Sequence, residues 1–187
     1  MSALRDTPQL FSPEEYLAAE EDNEIRHEFL NGDLYAMAGT TVDHNRIAGN
    51  IFGALHSHLL GQPCEAFMND MKAHLELAHG AWFYYPDVMV NCDPHGQKKL
   101  YCDTPSVIVE VLSPSTKRID QQEKLLAYQA IPALHTYVIV AQDRREVAVF
   151  RRAAGWVKET PLAEGALVIP ELEFSLPLAA IYARVGV

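Results

Sequence analysis

The sequence predicts an α/β (α+β) fold, a central mixed β-sheet flanked by helices. Three observations carry this. Short β-branched runs bounded by turn signals recur through the middle of the chain, as in Val107-Ile108-Val109-Glu110-Val111-Leu112. Two stretches, 43–61 and 120–131, show apolar residues at helical spacing. The order of elements (helix, hairpin, helix, several strands, helix, strands) mixes the two types without segregating them, which suits a mixed sheet with helices packed on it.

Each element has a local reason. Ser12-Pro13-Glu14-Glu15 offers an N-cap, a proline at the first helical position and a glutamate at the third, so a capping box starts a helix that runs to about Glu21. Asn31-Gly32 between the apolar runs Glu28–Leu30 and Leu34–Met37 signals a two-residue hairpin turn. Asp43 is the expected cap of a second helix, with Ile47, Ile51, Phe52, Leu55 and Leu59 on one face and Gly61 ending it. Strands are expected at 64–77, 82–90, 106–112, 135–141 and 145–151. A helix begins at Asp120-x-x-Glu123, carries Leu125, Leu126 and Tyr128, and stops before Pro132. Gly155 turns a late hairpin into Trp156-Val157, and a short helix around 178–183 closes the chain.

The 187 residues contain no repeat, low-complexity tract or dividing linker, so one domain over 1–187 is expected, with its core at about 10–182. Apolar residues make up 49%, which excludes wholesale disorder. Lys plus Arg total 15 against 25 Asp plus Glu, a net charge of −10 that argues against a long non-specific nucleic-acid surface. The odd number and wide spacing of Cys64, Cys92 and Cys102 argue against a disulfide framework. With no 18-residue apolar run and no basic segment followed by an apolar one at the N-terminus, the expected setting is soluble, reducing and cytoplasmic, with no membrane partner. Neither a Gly-x-Ser-x-Gly elbow nor a glycine-rich phosphate loop or dinucleotide fingerprint is present, so no organic cofactor is expected.

The chemistry points to two acids. Glu110 interrupts a strand that reads as buried on both faces, and Asp87 opens Val88-Met89-Val90 after Tyr84-Tyr85-Pro86. An ionised carboxylate in such a place needs a cation, several donors or a raised pKa. Separated by a loop-like segment from Asn91 to Pro105, the two strands can be sheet neighbours, which would let both acids share one Mg²⁺ (or Mn²⁺), with the backbone carbonyl of Val111 completing the set. Such an ion lowers the pKa of its water and offsets charge on a phosphodiester. The bland alternative is an Arg or Lys partner for Glu110 and a turn cap for Asp87. Lys124, at the start of the following helix, is the candidate amine, and Lys117 in Ser113-Pro114-Ser115-Thr116-Lys117 is its rival.

Asp70 and Lys72, at strand spacing, face one side as a surface ion pair or as accessories to the same site. His44 either touches phosphate or water, or satisfies a helix end. Cys92, His95 and Cys102 match no closed zinc pattern. The clusters Lys98-Lys99, Lys117-Arg118, Arg144-Arg145 and Arg151-Arg152 are hydrated turns or a small phosphate-facing patch.

Tyr85-Pro86-Asp87-Val88-Met89-Val90, Val109-Glu110-Val111-Leu112-Ser113-Pro114-Ser115-Thr116, then Asp120, Lys124 and Tyr128, resemble the Uma-type restriction endonuclease family of the PD-(D/E)XK nuclease superfamily. The resemblance extends to Glu28, Asn31-Gly32, Met37-Ala38-Gly39, His44, Asp70 and Trp156. It implies a restriction-endonuclease-like core and metal-dependent hydrolysis of DNA. Asp87 and Glu110 match the acidic metal ligands, and Glu28 the additional acid from the N-terminal region. The superfamily pattern expects lysine two residues after the second acid, where this chain has Leu112; the resemblance places that amine at Lys124. It also implies a homodimer. Two other functions stay open: a nuclease-like fold that only binds nucleic acid or protein, and hydrolysis of a small phosphorylated substrate.

Overall fold

The computed structural model describes residues 11–37, 39–77, 80–112 and 123–187. The readings that fall on Ala38, Ser113–Thr116, Lys117, Arg118 and Asp120 lie outside the described residues.

Helix α1 (Pro13–Glu21) begins with the expected capping box, Ser12 Oγ accepting from the Glu15 N–H while Glu15 Oε2 accepts from the Ser12 N–H. The hairpin of β1 (His27–Leu30) and β2 (Asp33–Ala36) turns on Asn31 and Gly32, both at positive φ, the conformation an Asn-Gly turn supplies with least strain. Helix α2 (Val42–Leu59) is capped by Thr41, whose hydroxyl accepts from the His44 N–H, rather than by Asp43, which lies in the first turn. Its buried face is Ile47, Ala48, Ile51, Leu55 and Leu59.

Two of the expected strands are each divided. The stretch 64–77 becomes β3 (Glu65–Met68) and β4 (Lys72–Leu77), parted by a turn in which Asn69 takes a positive φ. The stretch 82–90 becomes β5 (Gly80–Tyr84) and β6 (Val88–Asn91), parted at Pro86, which has no N–H to give a ladder. Each break moves the chain between two sheets. One sheet has the order β2-β1-β5-β4-β7, with β7 at Tyr101–Cys102; the other has β10-β9-β8-β6-β3, with β8 at Pro105–Leu112, β9 at Thr136–Ala141 and β10 at Val147–Arg151. Both are mixed, because β8 runs parallel to β9 and β4 parallel to β7 while the other neighbours are antiparallel. Helix α3 (Leu125–Gln129) follows β8. A hairpin of β11 (Ala166–Ile169) and β12 (Phe174–Pro177) and helix α4 (Leu178–Ile181) complete the order. Gly155 caps a single 3-10 turn (Arg152–Ala154), after which the chain returns antiparallel to β10 through isolated bridges at Lys158, one residue beyond the expected Trp156-Val157, and at Leu162.

Side chains on β8 alternate between two cores, as a strand buried on both faces requires. Val107, Val109 and Val111 face α2, α4 and the β11–β12 hairpin. Ile108 and Leu112 face the space between the two sheets, where Ala73, Leu75, Tyr84, Tyr128 and Tyr137 pack. The period of two therefore sends Glu110 into the inter-sheet layer. A third cluster of Tyr16, Phe29, Ala81 and Phe83 fixes α1 on the outer face of the first sheet.

The absence of disulfides expected from cysteine spacing is not found: Cys64 and Cys92 are bonded. The reason is register. β3 pairs antiparallel with β6, Glu65 opposite Asn91, so the residue before one strand meets the residue after the other with Cα atoms 4.0 Å apart. Cys102 is free and buried, and burial pushes its thiol up to about 11.

Candidate active site

Glu110 is 4% exposed and Lys124 7%, so the lysine is not the solvated surface side chain a lone Lys would suggest. Lys124 Nζ donates to Glu110 Oε1 at 3.1 Å and lies 2.9 Å from Glu28 Oε1. Three distant parts of the chain thus meet at one ammonium: β1 of the hairpin, β8 of the second sheet, and the residue that opens α3. The helix brings a second group. Tyr128, one turn beyond Lys124, donates its hydroxyl to the same Glu110 Oε1 at 2.9 Å. Burial, with the Glu110 charge beside it, pushes the Tyr128 phenol far above its ordinary range, so it stays a donor. The Tyr84 ring lies under Lys124 Nζ at 5.4 Å and stands edge-on to Tyr128.

Asp87 sits beside this group. The register Val88↔Val109 continues outward to set Asp87 opposite Glu110. β6 starts only at Val88, and the Asp87 side chain takes the place of a strand acceptor: the Val111 N–H donates to Asp87 Oδ2 at 2.7 Å. His44 Nε2, from the first turn of α2, approaches the same oxygen at 3.3 Å. Val111 thus contributes its N–H at Asp87. Glu28 Oε1 also faces the Tyr85 N–H at 3.4 Å, which ties the hairpin to the Pro86-Asp87 corner.

The donor set is oxygen-rich and hard, which suits Mg²⁺ or Mn²⁺ in place of softer metals. Among the described residues no group of three or more His, Cys, Asp or Glu forms a cage for a metal. Glu110 is engaged by Lys124 and Tyr128, and Asp87 by the Val111 N–H and His44; these two carboxylates could hold an ion only in the mode that uses one or two carboxylates and keeps most of its waters.

Other candidates fall elsewhere. Asp70 lies in the β3–β4 turn, its side chain 78% exposed and 3.4 Å from Arg26, so it pairs with neither Lys72 nor the site. Lys72 is buried. Cys92 is committed to the disulfide, which removes it as a zinc ligand. Arg144, Arg151 and Arg152 are engaged by Glu146, Glu159 and the carbonyls of Leu134 and Ile131. The Tyr128 hydroxyl and the Tyr84 ring join the site without having been candidates; the i,i+4 spacing of Lys124 and Tyr128 is the signal in the sequence for the first of them.

A family model described as "Putative restriction endonuclease" (Uma2) matches residues 13–180. Two proteins of Synechocystis sp. are similar over most of their length. The uncharacterized protein slr1290 is 32% identical over 174 residues, 91% of this chain and 90% of its own. The uncharacterized protein sll1609 is 30% identical over 174 residues, 90% of this chain and 95% of its own. The fold is shared with the crystal structure of "a putative nuclease belonging to DUF820" from Anabaena variabilis, at a TM-score of 0.74 over 94% of this chain and 99% of that one, with 14% sequence identity.

Proposed function

Since this chain belongs to the Uma2 family of restriction-endonuclease-like proteins, we propose that it is a metal-dependent endonuclease hydrolysing DNA phosphodiester bonds. The observation that carries the reading is the shared ammonium: Lys124 reaches both Glu28 and Glu110 from the helix after β8. That contact supports Lys124 as the amine that Leu112, 4% exposed in the inter-sheet core, does not provide.

In this reading Asp87 and Glu110 hold Mg²⁺ or Mn²⁺, which would supply an acidified water and charge neutralisation at the phosphate. The protein's own groups set the stage. The Val111 N–H and His44 hold Asp87 Oδ2, so that carboxylate is oriented before any ligand arrives. The Tyr128 hydroxyl does the same for Glu110. Lys124 presents a fixed positive charge in a site of low exposure, where it acts on the attacking water or on phosphate oxygens more strongly than in bulk water. Glu28 Oε1, 2.9 Å away, aims that ammonium.

The same reading takes residues 1–187 as one domain working in the cytoplasm, and a homodimer as the form that addresses two strands. The core shared by the two sheets supports the single domain. Light scattering measures the dimer. The nuclease reading is tested with purified protein, Mg²⁺ or Mn²⁺, and duplex, single-stranded and branched DNA, beside Asp87→Ala, Glu110→Ala and Lys124→Ala. Cleavage by the parent and its loss in all three is the expected result. Neither cleavage nor carboxylate-dependent metal binding by the parent would leave a nuclease-like fold that only binds partners.

A further inference from the structure

Lys72 opens β4 and is 6% exposed, yet among the described residues its ammonium has neither an ion pair nor a hydrogen bond. Its contacts are ring faces, with Nζ 5.1 Å from the Tyr85 centroid and 5.9 Å from that of Tyr16. Rings attract a cation but replace little of its hydration. Burial lowers the Lys72 pKa and the nearby Arg26 charge lowers it further, while the charges of Glu20, Glu21 and Asp70 pull it back up.

Lys72 also lines a cavity of about 280 Å³, with Arg26, Lys99, Tyr85, Glu20, Glu21 and Asp70 among others. Since a water takes about 30 Å³, this is room for a tetrahedral oxyanion and its waters. The acids of the cavity are already engaged. Glu20 accepts from the His27 N–H and the Tyr85 hydroxyl, Glu21 pairs with Lys99, and Asp70 with Arg26. An entering anion would therefore meet Lys72 with no carboxylate in hydrogen-bonding contact with it.

We propose that this cavity is a phosphate-group site, in which Lys72 and Arg26 hold an oxyanion of the bound nucleic acid. The ligand class rests on the nuclease reading; the anion site itself does not. The cavity adjoins the candidate active site through one residue: Tyr85 lies under Lys72 by its ring and faces Glu28 Oε1 by its N–H. The phosphate group is either a backbone diester or a terminal monoester.

The test is done in EDTA, without cleavage. Inorganic phosphate and sulfate, against chloride at equal ionic strength, are followed by thermal shift and by their protection of Lys72 from reductive methylation, read by mass spectrometry. The parent is expected to be stabilised and Lys72 protected; Lys72→Met loses the response and Lys72→Arg keeps part of it. Anisotropy with a short oligonucleotide is expected to show binding about tenfold weaker for Lys72→Met. A loss confined to 5′-phosphorylated ends assigns the monoester; an equal loss without that phosphate assigns the diester. Equal responses of Lys72→Met and the parent, or unprotected Lys72 in the parent at saturating phosphate, overturn the proposal. Should Lys72→Met fail to fold, the protection experiment on the parent decides alone. Absence of cleavage with metal, alongside intact phosphate protection, would defeat the nuclease reading and spare this one.

Discussion

Replacing Lys124 with methionine removes the cation between Glu28 and Glu110 while keeping much of the apolar stem. Were this an exposed pair, the cost would be about 0–1 kcal/mol. The side chains of Lys124 and Glu110 are only 9% and 5% exposed, so the relevant case is a buried pair broken from one side, at about 3–5 kcal/mol. Glu28 is 16% exposed and can turn toward water, which places the expectation near the lower end, about 3 kcal/mol. For a chain of this length that is a fall in Tm of about 6–12 °C. The assay is urea unfolding followed by circular dichroism on the parent, Lys124→Met, Glu110→Gln and the double variant, without divalent metal. The double variant should recover part of the loss, with a coupling of about 1–3 kcal/mol. A Lys124→Met variant within about 0.5 kcal/mol of the parent would refute the reasoning, because such values belong to surface substitutions.

Tyr128→Phe should cost about 1.5–3 kcal/mol, the worth of a buried bond to a charged acceptor, and should lower cleavage without abolishing it; urea unfolding and a plasmid-nicking assay check both. Stability should fall at alkaline pH. Burial raises Cys102 to about 11 and Tyr182 to about 12, above their ordinary values of 9.0 and 10.0, so the unfolded chain releases these protons first. The contribution is whole below about pH 9 and is lost as pH rises through the folded values, by about 2–3 kcal/mol for each group; urea midpoints flat to pH 11 would contradict it. Reducing Cys64–Cys92 reopens a link spanning 28 residues and should cost about 3–4 kcal/mol, measured by unfolding with and without a phosphine reductant.

Local signals carried much of the fold. The capping box at Ser12, the Asn31-Gly32 turn and the helical face of Ile47, Ile51 and Leu55 depend on neighbours in the chain, and the structure has each of them. Glu110 was legible for a different reason: an acid in a β-branched run is a local contradiction, and it is met here by Lys124 and Tyr128. What depends on register was not legible. Cys64 meets Cys92 only because β3 and β6 pair antiparallel, and the breaks at Asn69 and Pro86 matter because they send β4 and β5 to a different sheet. The Val111 N–H at Asp87 has the same origin, since it follows from where β6 begins against β8. Thr41 in place of Asp43 as the cap of α2 is a near miss between two good capping residues two positions apart.

The proposed nuclease chemistry requires Asp87 and Glu110 to serve one ion. Crystals soaked in Mn²⁺ and measured for its anomalous scattering address this without any substrate. The predicted result is a single strong peak within bonding distance of a carboxylate oxygen from each residue, absent in Glu110→Gln. A peak elsewhere, or none at saturating Mn²⁺ with Lys124 still between Glu28 and Glu110, would contradict the central claim.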